Sequence, residues 1–185
     1  SNQVENLTVG HELEESLLEY CKNNNIDTVV TYHPPPYKRI IDENEVETYL
    51  PDPITESFVD SSINVISIHT AQDVCEEGNA ETLAELFGMS DVSIFANSVD
   101  NFGAGRKGTI NKISPADFKK DVENKLNTKI IRTNECFNEI KEIQNIAVLP
   151  GSGTQFIDEI IDSVDAFITG DISHRYLLKA CLLYT

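Results

Sequence analysis

Val65-Ile66-Ser67-Ile68-His69-Thr70-Ala71-Gln72-Asp73 decides how the chain is read. A β-branched apolar run stops abruptly at His, Thr and Asp. The same event occurs upstream, where Ile26-Asp27-Thr28-Val29-Val30-Thr31-Tyr32-His33 runs into Pro34-Pro35-Pro36. Short runs of Val and Ile bounded in this way read as buried strands. Open α/β sheets bind ligands just beyond the carboxyl ends of their strands. The pattern therefore predicts that His33, His69 and Asp73 converge on one pocket mouth.

Outward from these strands the chain alternates. Leu7-Thr8-Val9 reads as the tail of a strand, and residues 12–23 as a helix with Leu13, Leu17, Leu18 and Cys21 on one face. The acidic stretch 40–53 reads as loop, and Glu43, Glu45 and Glu47 as its solvated face. Helices are predicted over 54–62, after Asn79 as cap, over 115–126 after Ser114, from Thr154, and after Ser173. Strands are predicted at 92–96, 128–132, 146–149 and 166–168. Such alternation implies an α/β fold, with two similar βα-rich lobes around a mixed, mostly parallel sheet. It divides into an N-terminal α/β lobe over 1–100, a middle strand and helix segment over 101–144, and the start of a C-terminal α/β lobe over 145–185.

Composition narrows the function. The 185 residues carry a net charge of −17 and no run of basic side chains, so the chain repels a phosphate backbone. Nucleic acid is thereby excluded as a sequence-independent partner. Hydrophobic residues make up 40%, enough for one medium domain or two small lobes. Cys21, Cys75, Cys136 and Cys181 are widely spaced, which reads as thiols in a reducing, cytoplasmic setting. No apolar stretch approaches about 18 residues, and no leader peptide is visible, so no membrane span is expected.

His33, His69 and Asp73 suit a divalent metal such as Zn, Fe, Mn or Co. One imidazole can instead orient a ligand, and a lone strand-end His is often structural. Gly151-Ser152-Gly153-Thr154, between a strand and a helix, suits either an anion or an ordinary tight turn. His174 follows Thr169-Gly170-Asp171 and reads either as a proton-transfer group or as a solvated helix start. Gly103-Ala104-Gly105-Arg106-Lys107-Gly108 matches G-x-G-x-x-G, but Thr109-Ile110 continues as strand where a dinucleotide motif needs a helix. No G-x-S-x-G nucleophile is present.

Together these segments resemble one family, the NIF-three-like proteins (Ngg-one-interacting factor three), often labelled GTP cyclohydrolase 1 type 2 homologs. Thr31-Tyr32-His33-Pro34-Pro35 looks like the Tyr-His-Pro-Pro form of its eukaryotic branch. His69-Thr70-Ala71-Gln72-Asp73 matches its His-Thr-Ala-x-Asp signature. Gly78-Asn79, Leu83-Ala84, Gly105-Arg106-Lys107-Gly108, Gly151-Ser152-Gly153, Asp165 and Thr169-Gly170-Asp171 with His174 follow in the family's order. The resemblance implies two similar lobes, a centre of one or two divalent metals, and a homo-oligomer of toroidal hexamer type. It implies His33 and Asp73 as metal ligands, with His69 in the same pocket. Two departures thin that ligand set. Tyr32 stands where bacterial members have a second His, and the family's closing His-x-x-x-Glu has no counterpart before Thr185.

The function expected from this is a metal-binding, hydrolase-like protein acting on a nucleotide or related small molecule. Its catalytic groups would be His69 and His174, its substrate contacts Gly151, Ser152, Gly153 and Thr154, and its ligands His33 and Asp73. The rival expectation is a non-enzymatic, metal-containing adaptor that binds partner proteins.

Overall fold

The computed structural model describes residues 3–99, 101–130 and 132–182, apart from the side chains of Glu135, Asn138, Cys181 and Leu182. The chain forms two compact units that divide between Gln72 and Asp73.

The first unit is built on β1 (Leu7–Gly10), α1 (Glu15–Asn23), β2 (Thr28–Thr31), β3 (Tyr37–Ile41), β4 (Glu47–Pro51), α2 (Pro53–Asp60) and β5 (Asn64–Ser67). Strands β1, β2 and β5 make an all-parallel sheet in that order, with Gly10, Thr31 and Ser67 in register at its carboxyl edge. Leu13, Leu18 and Cys21 from the α1 segment, Phe58 from α2, and Val29 and Ile63 close the core beneath it. Cys21 is a free thiol in that core, and burial pushes its pKa up. Asp52 caps α2 by accepting from the Ile54 and Thr55 N–H groups, with Pro53 at the first helical position. Val59, next to Phe58 in α2, is exposed.

The stretch 40–53, expected as loop, instead contributes most of an antiparallel hairpin of β3 and β4. Every residue of both strands is exposed, so neither carries the alternation that betrays a half-buried strand. Local chemistry holds the turn. Asp42 Oδ1 accepts from Asn44 N (2.8 Å) and Val46 N (2.9 Å), and Glu45 takes φ +62°. Glu47 is no bare surface acid, since it pairs with Arg39 and accepts from the Tyr49 hydroxyl.

The first unit also owes its register to one carboxylate. Asp27 Oδ2 accepts from Glu5 N and Asn6 N, each at 2.8 Å, while Asp27 N donates to Asn6 O. The Thr28 hydroxyl, then the Asn6 and Glu5 N–H groups, hold the Asp27 carboxyl below its usual range. A depressed folded pKa adds stability that is complete above the unfolded value, about pH 4, and is lost as pH falls through the folded pKa. Asp27→Asn is therefore expected to flatten the acid limb of stability. Urea midpoints measured from neutral pH down through that window check this, since the wild-type midpoint should fall more than the variant's.

The second unit contains α4 (Asn79–Leu86), β6 (Ser90–Val99), β7 (Phe102–Ile113), α5 (Pro115–Lys125), β8 (Ile143–Ser152), β9 (Ala166–Asp171) and α6 (His174–Leu182). The short helix α3 (His69–Val74) contains the point in sequence at which the two units divide. The sheet order is β6-β7-β8-β9, with the first two pairings antiparallel and β8-β9 parallel. The α/β class with mixed sheets stands as expected. Among the described residues the strands divide among three sheets, however, and three of the six pairings are parallel. The two compact units are 1–72 and 73–185, beside the three segments 1–100, 101–144 and 145–185 expected from the sequence.

Strand β8 is buried on both faces. Ile146 and Val148 pack with Phe87, Phe118 and Val122, while Ala147 and Leu149 pack with Phe95 and Ile160. A central strand of this kind shows a continuous apolar run. Ser114 caps α5, as expected, and Gly88 follows the end of α4 at φ +66°. Gly78, not Asn79, is the N-cap of α4. Residues 128–132 form no strand among the described positions, and Ile131 lies outside them. The helix from Thr154 is a single 3₁₀ stretch, Thr154–Glu159.

The glycines of the rejected dinucleotide motif lie inside β7. A Cβ on Gly103 or Gly108 would sit 2.6 Å from the Phe95 or Ser90 carbonyl oxygen of β6, and one on Gly105 would strike the Phe95 ring. They permit close strand approach. Arg106, 4% exposed, turns its guanidinium back onto the strand, where Nη1 donates to Gly103 O (2.7 Å) and Gly105 O (3.1 Å).

The Asp27 device recurs here. Asp165 Oδ2 accepts from Gln144 N (2.9 Å) and Asn145 N (2.7 Å), while Asp165 N donates to Asn145 O. Asn6 before β1 thus matches Asn145 in β8, and Asp27 before β2 matches Asp165 before β9. Thr31 and Thr169, four residues on, hold equivalent places. Among the described residues no helix is long and apolar enough to cross a membrane.

Candidate functional site

The first unit's site grows from register. Hydrogen bonding continues one step beyond the three parallel strands. Tyr32 N donates to Gly10 O, His33 N to His11 O (2.9 Å), Ile68 N to Thr31 O, and His69 N to Tyr32 O (3.0 Å). The residues that follow each strand are therefore fixed by backbone bonds before any side chain acts. Thr31 and Ser67 add hydroxyl bonds to His33 O and Tyr32 O. The Pro36 carbonyl is tied to α2 through the Thr55 hydroxyl at 2.7 Å, which anchors the triproline loop after His33.

Three imidazoles meet at this edge. The His33 ring centroid is 4.6 Å from that of His11 and 5.6 Å from that of His69. Tyr32 lies among them, stacked on His11 at 5.6 Å and edge-on to His69 at 5.2 Å. Glu12 adds a carboxylate, with Oε1 3.9 Å from His11 Nδ1 and Oε2 3.9 Å from His33 Nδ1. One ligand atom from each of His11, Glu12 and His33 can be chosen so that all three lie within 4.8 Å of one another. Imidazole nitrogen with carboxylate oxygen is a donor set that borderline divalent ions accept, so these residues fit the metal that the sequence suggests.

His33 and His69 thus come together as expected. Asp73 lies in α3, one turn of sequence beyond His69, and its Oδ1 accepts from Asn79 Nδ2 at 2.8 Å. His174 opens α6 and is exposed. Gly151 to Thr154 form the end of β8 and the entry to the 3₁₀ stretch, with Gly151 at φ +69°. Gly153 N–H donates to Thr169 Oγ1, which in turn donates to Gly151 O, so this turn is satisfied from within. His11 and Glu12 were not anticipated. Their signal was available: Leu7-Thr8-Val9-Gly10-His11 is a third apolar run ending in His.

An α/β protein whose parallel strands each deliver an imidazole to one carboxyl edge defines a class of proteins with a donor-rich site at strand ends. The family model Duf34/NIF3 (NGG1p interacting factor 3) matches residues 1–183, and the chain belongs to that family. It is 28% identical over 164 residues to a GTP cyclohydrolase 1 type 2 homolog of Clostridium acetobutylicum, covering 87% of this chain and 60% of that protein. It is 26% identical over 189 residues to NGG1-interacting factor 3 of Saccharomyces cerevisiae, covering 91% and 62%. The chain thus spans about three fifths of the length of these relatives. A solved Bacillus cereus protein related to NIF3 shares the fold with a TM-score of 0.75 at 15% identity, over 97% of this chain and 76% of that one.

Proposed function

We propose that the chain is a metal-binding, hydrolase-like protein that acts on a nucleotide or related small molecule. The observation that carries this is the meeting of His11, His33 and His69 with Glu12 at the carboxyl edge of the β1-β2-β5 sheet. His33 would hold the ion, with Asp73 as the second ligand that the family resemblance implies. When bound, such an ion supplies Lewis-acid polarisation and a more acidic water. His69 has its ring beside His33 and would hold or release a proton at a ring nitrogen. Exposed at the start of α6, His174 is the second candidate for that role. Gly151 to Thr154 would contact the substrate with groups other than the Gly153 N–H, which is already engaged by Thr169 Oγ1. Homo-oligomeric assembly belongs to the proposal on the resemblance alone.

The adaptor reading has one observation in its favour. The β3-β4 hairpin exposes Tyr37, Ile41, Tyr49 and Leu50, apolar surface of the kind that partner proteins cover. One experiment separates the two. The full chain, loaded in turn with Zn, Mn, Fe or Co, is incubated with a nucleotide panel alongside His33→Ala and Asp73→Ala. Turnover that disappears in both variants is the expected result. Metal-loaded protein that turns over no nucleotide would remove the enzymatic reading.

A further inference from the structure

We propose that His11 and Glu12 join His33 as a three-donor divalent-cation site lying wholly within the first unit. The proposal deepens the metal-binding reading and rests on it for His33 alone. His11 and Glu12 are supplied by the end of β1, a part of the chain that none of the sequence signatures includes.

The geometry is specific. A single carboxylate stands between two imidazoles, one oxygen facing each Nδ1 at 3.9 Å. That spacing exceeds a hydrogen bond, so no proton links these donors. Donors held at about 2.0–2.2 Å from a zinc-sized ion stand roughly 3.4 Å apart in a tetrahedral arrangement. The observed separations, all within 4.8 Å, need only modest rotation of side chains that have room to move. His11 and Glu12 are 68% and 62% exposed, while His33 is 42% exposed and fixed through its backbone bond to His11 O. Just beyond Glu12, Leu13 is buried in the core and limits how far the pair can stray.

The surroundings favour a cation. The net charge of −17 raises the local concentration of divalent ions. Tyr32, stacked on His11, holds that ring against the edge of the sheet but offers a phenol rather than an imidazole. His11 and Glu12 supply the imidazole and carboxylate that Tyr32 does not. Three protein donors on an exposed edge leave a coordination position open to water or substrate, as catalytic rather than structural sites do. A depression of about 420 Å³ lined by Gly10, His11, Glu12, Leu17 and Tyr20 opens beside these donors, room for a small ligand.

The test uses Co²⁺ and Zn²⁺ alone as probes of the full chain. Visible d–d absorption reports Co²⁺ coordination, and calorimetry reports Zn²⁺ affinity. His11→Ala and Glu12→Gln are each expected to weaken Zn²⁺ binding at least tenfold and to alter the Co²⁺ spectrum. Thermal melts matching the wild type confirm that both variants fold. Wild-type affinity in His11→Ala and Glu12→Gln, with loss in His33→Ala and Asp73→Ala, would overturn this site and leave the metal-binding reading standing. No binding of either ion by the wild-type chain would overturn both.

Discussion

His33→Ala is expected to weaken divalent-ion binding by more than about 100-fold, beyond what loss of an outer-shell partner costs. His33 stands at the centre of the donors gathered at this edge. Its ring lies beside those of both other imidazoles, 4.6 Å from His11 and 5.6 Å from His69. The backbone is held at that spot by His11 O and by the Thr31 hydroxyl, so no other imidazole can take its place without moving a strand end. Removing one donor from a small set leaves the rest unable to satisfy the ion's coordination. The fold should not notice. A half-exposed side chain outside the core changes stability by less than about 0.5 kcal/mol. Zinc titration and a urea melt of the same sample make the comparison, and an unchanged affinity would place any metal elsewhere. His69→Ala, which removes a neighbouring ring and no member of the His11-Glu12-His33 set, should cost far less affinity.

Phe58→Ala is expected to destabilise the first unit by about 3–5 kcal/mol, the usual cost of truncating a buried Phe. Phe58 is fully buried and is the largest side chain in that core, where it meets the α1 segment and the strands. A small core has little else to collapse into the gap. The effect should reach the site, because α2 carries both Phe58 and the Thr55 hydroxyl that fastens the loop after His33. Neighbouring Val59→Ala is the control. Val59 is 65% exposed, so its loss should lie within about 0.5 kcal/mol. Urea midpoints for the two variants decide the matter, and equal midpoints would mean that α2 does not close the core.

Some of this architecture was readable residue by residue. Ser114-Pro115 announces a helix start because a capping oxygen and a fixed φ act locally. The run Ile146 to Leu149 announces a central strand because both of its faces must be apolar. The hairpin of β3 and β4 left no such mark, since a strand exposed on both faces has no period to read. A repeat was present in letters, Asn6 with Asp27 and Thr31, then Asn145 with Asp165 and Thr169. It is too sparse to stand out until the same hydrogen bonds reveal it.

The sequence by itself determined the α/β class, the Ser114 cap, and the fact that strands end in histidine. Those are consequences of periodicity and of short-range chemistry. Only the tertiary structure decided which strand ends are neighbours. Parallel pairing brings residues 11, 33 and 69 side by side through backbone bonds between segments far apart in the chain. Register of that kind depends on where the sheet's core closes, and that is a property of the packed whole rather than of any one stretch.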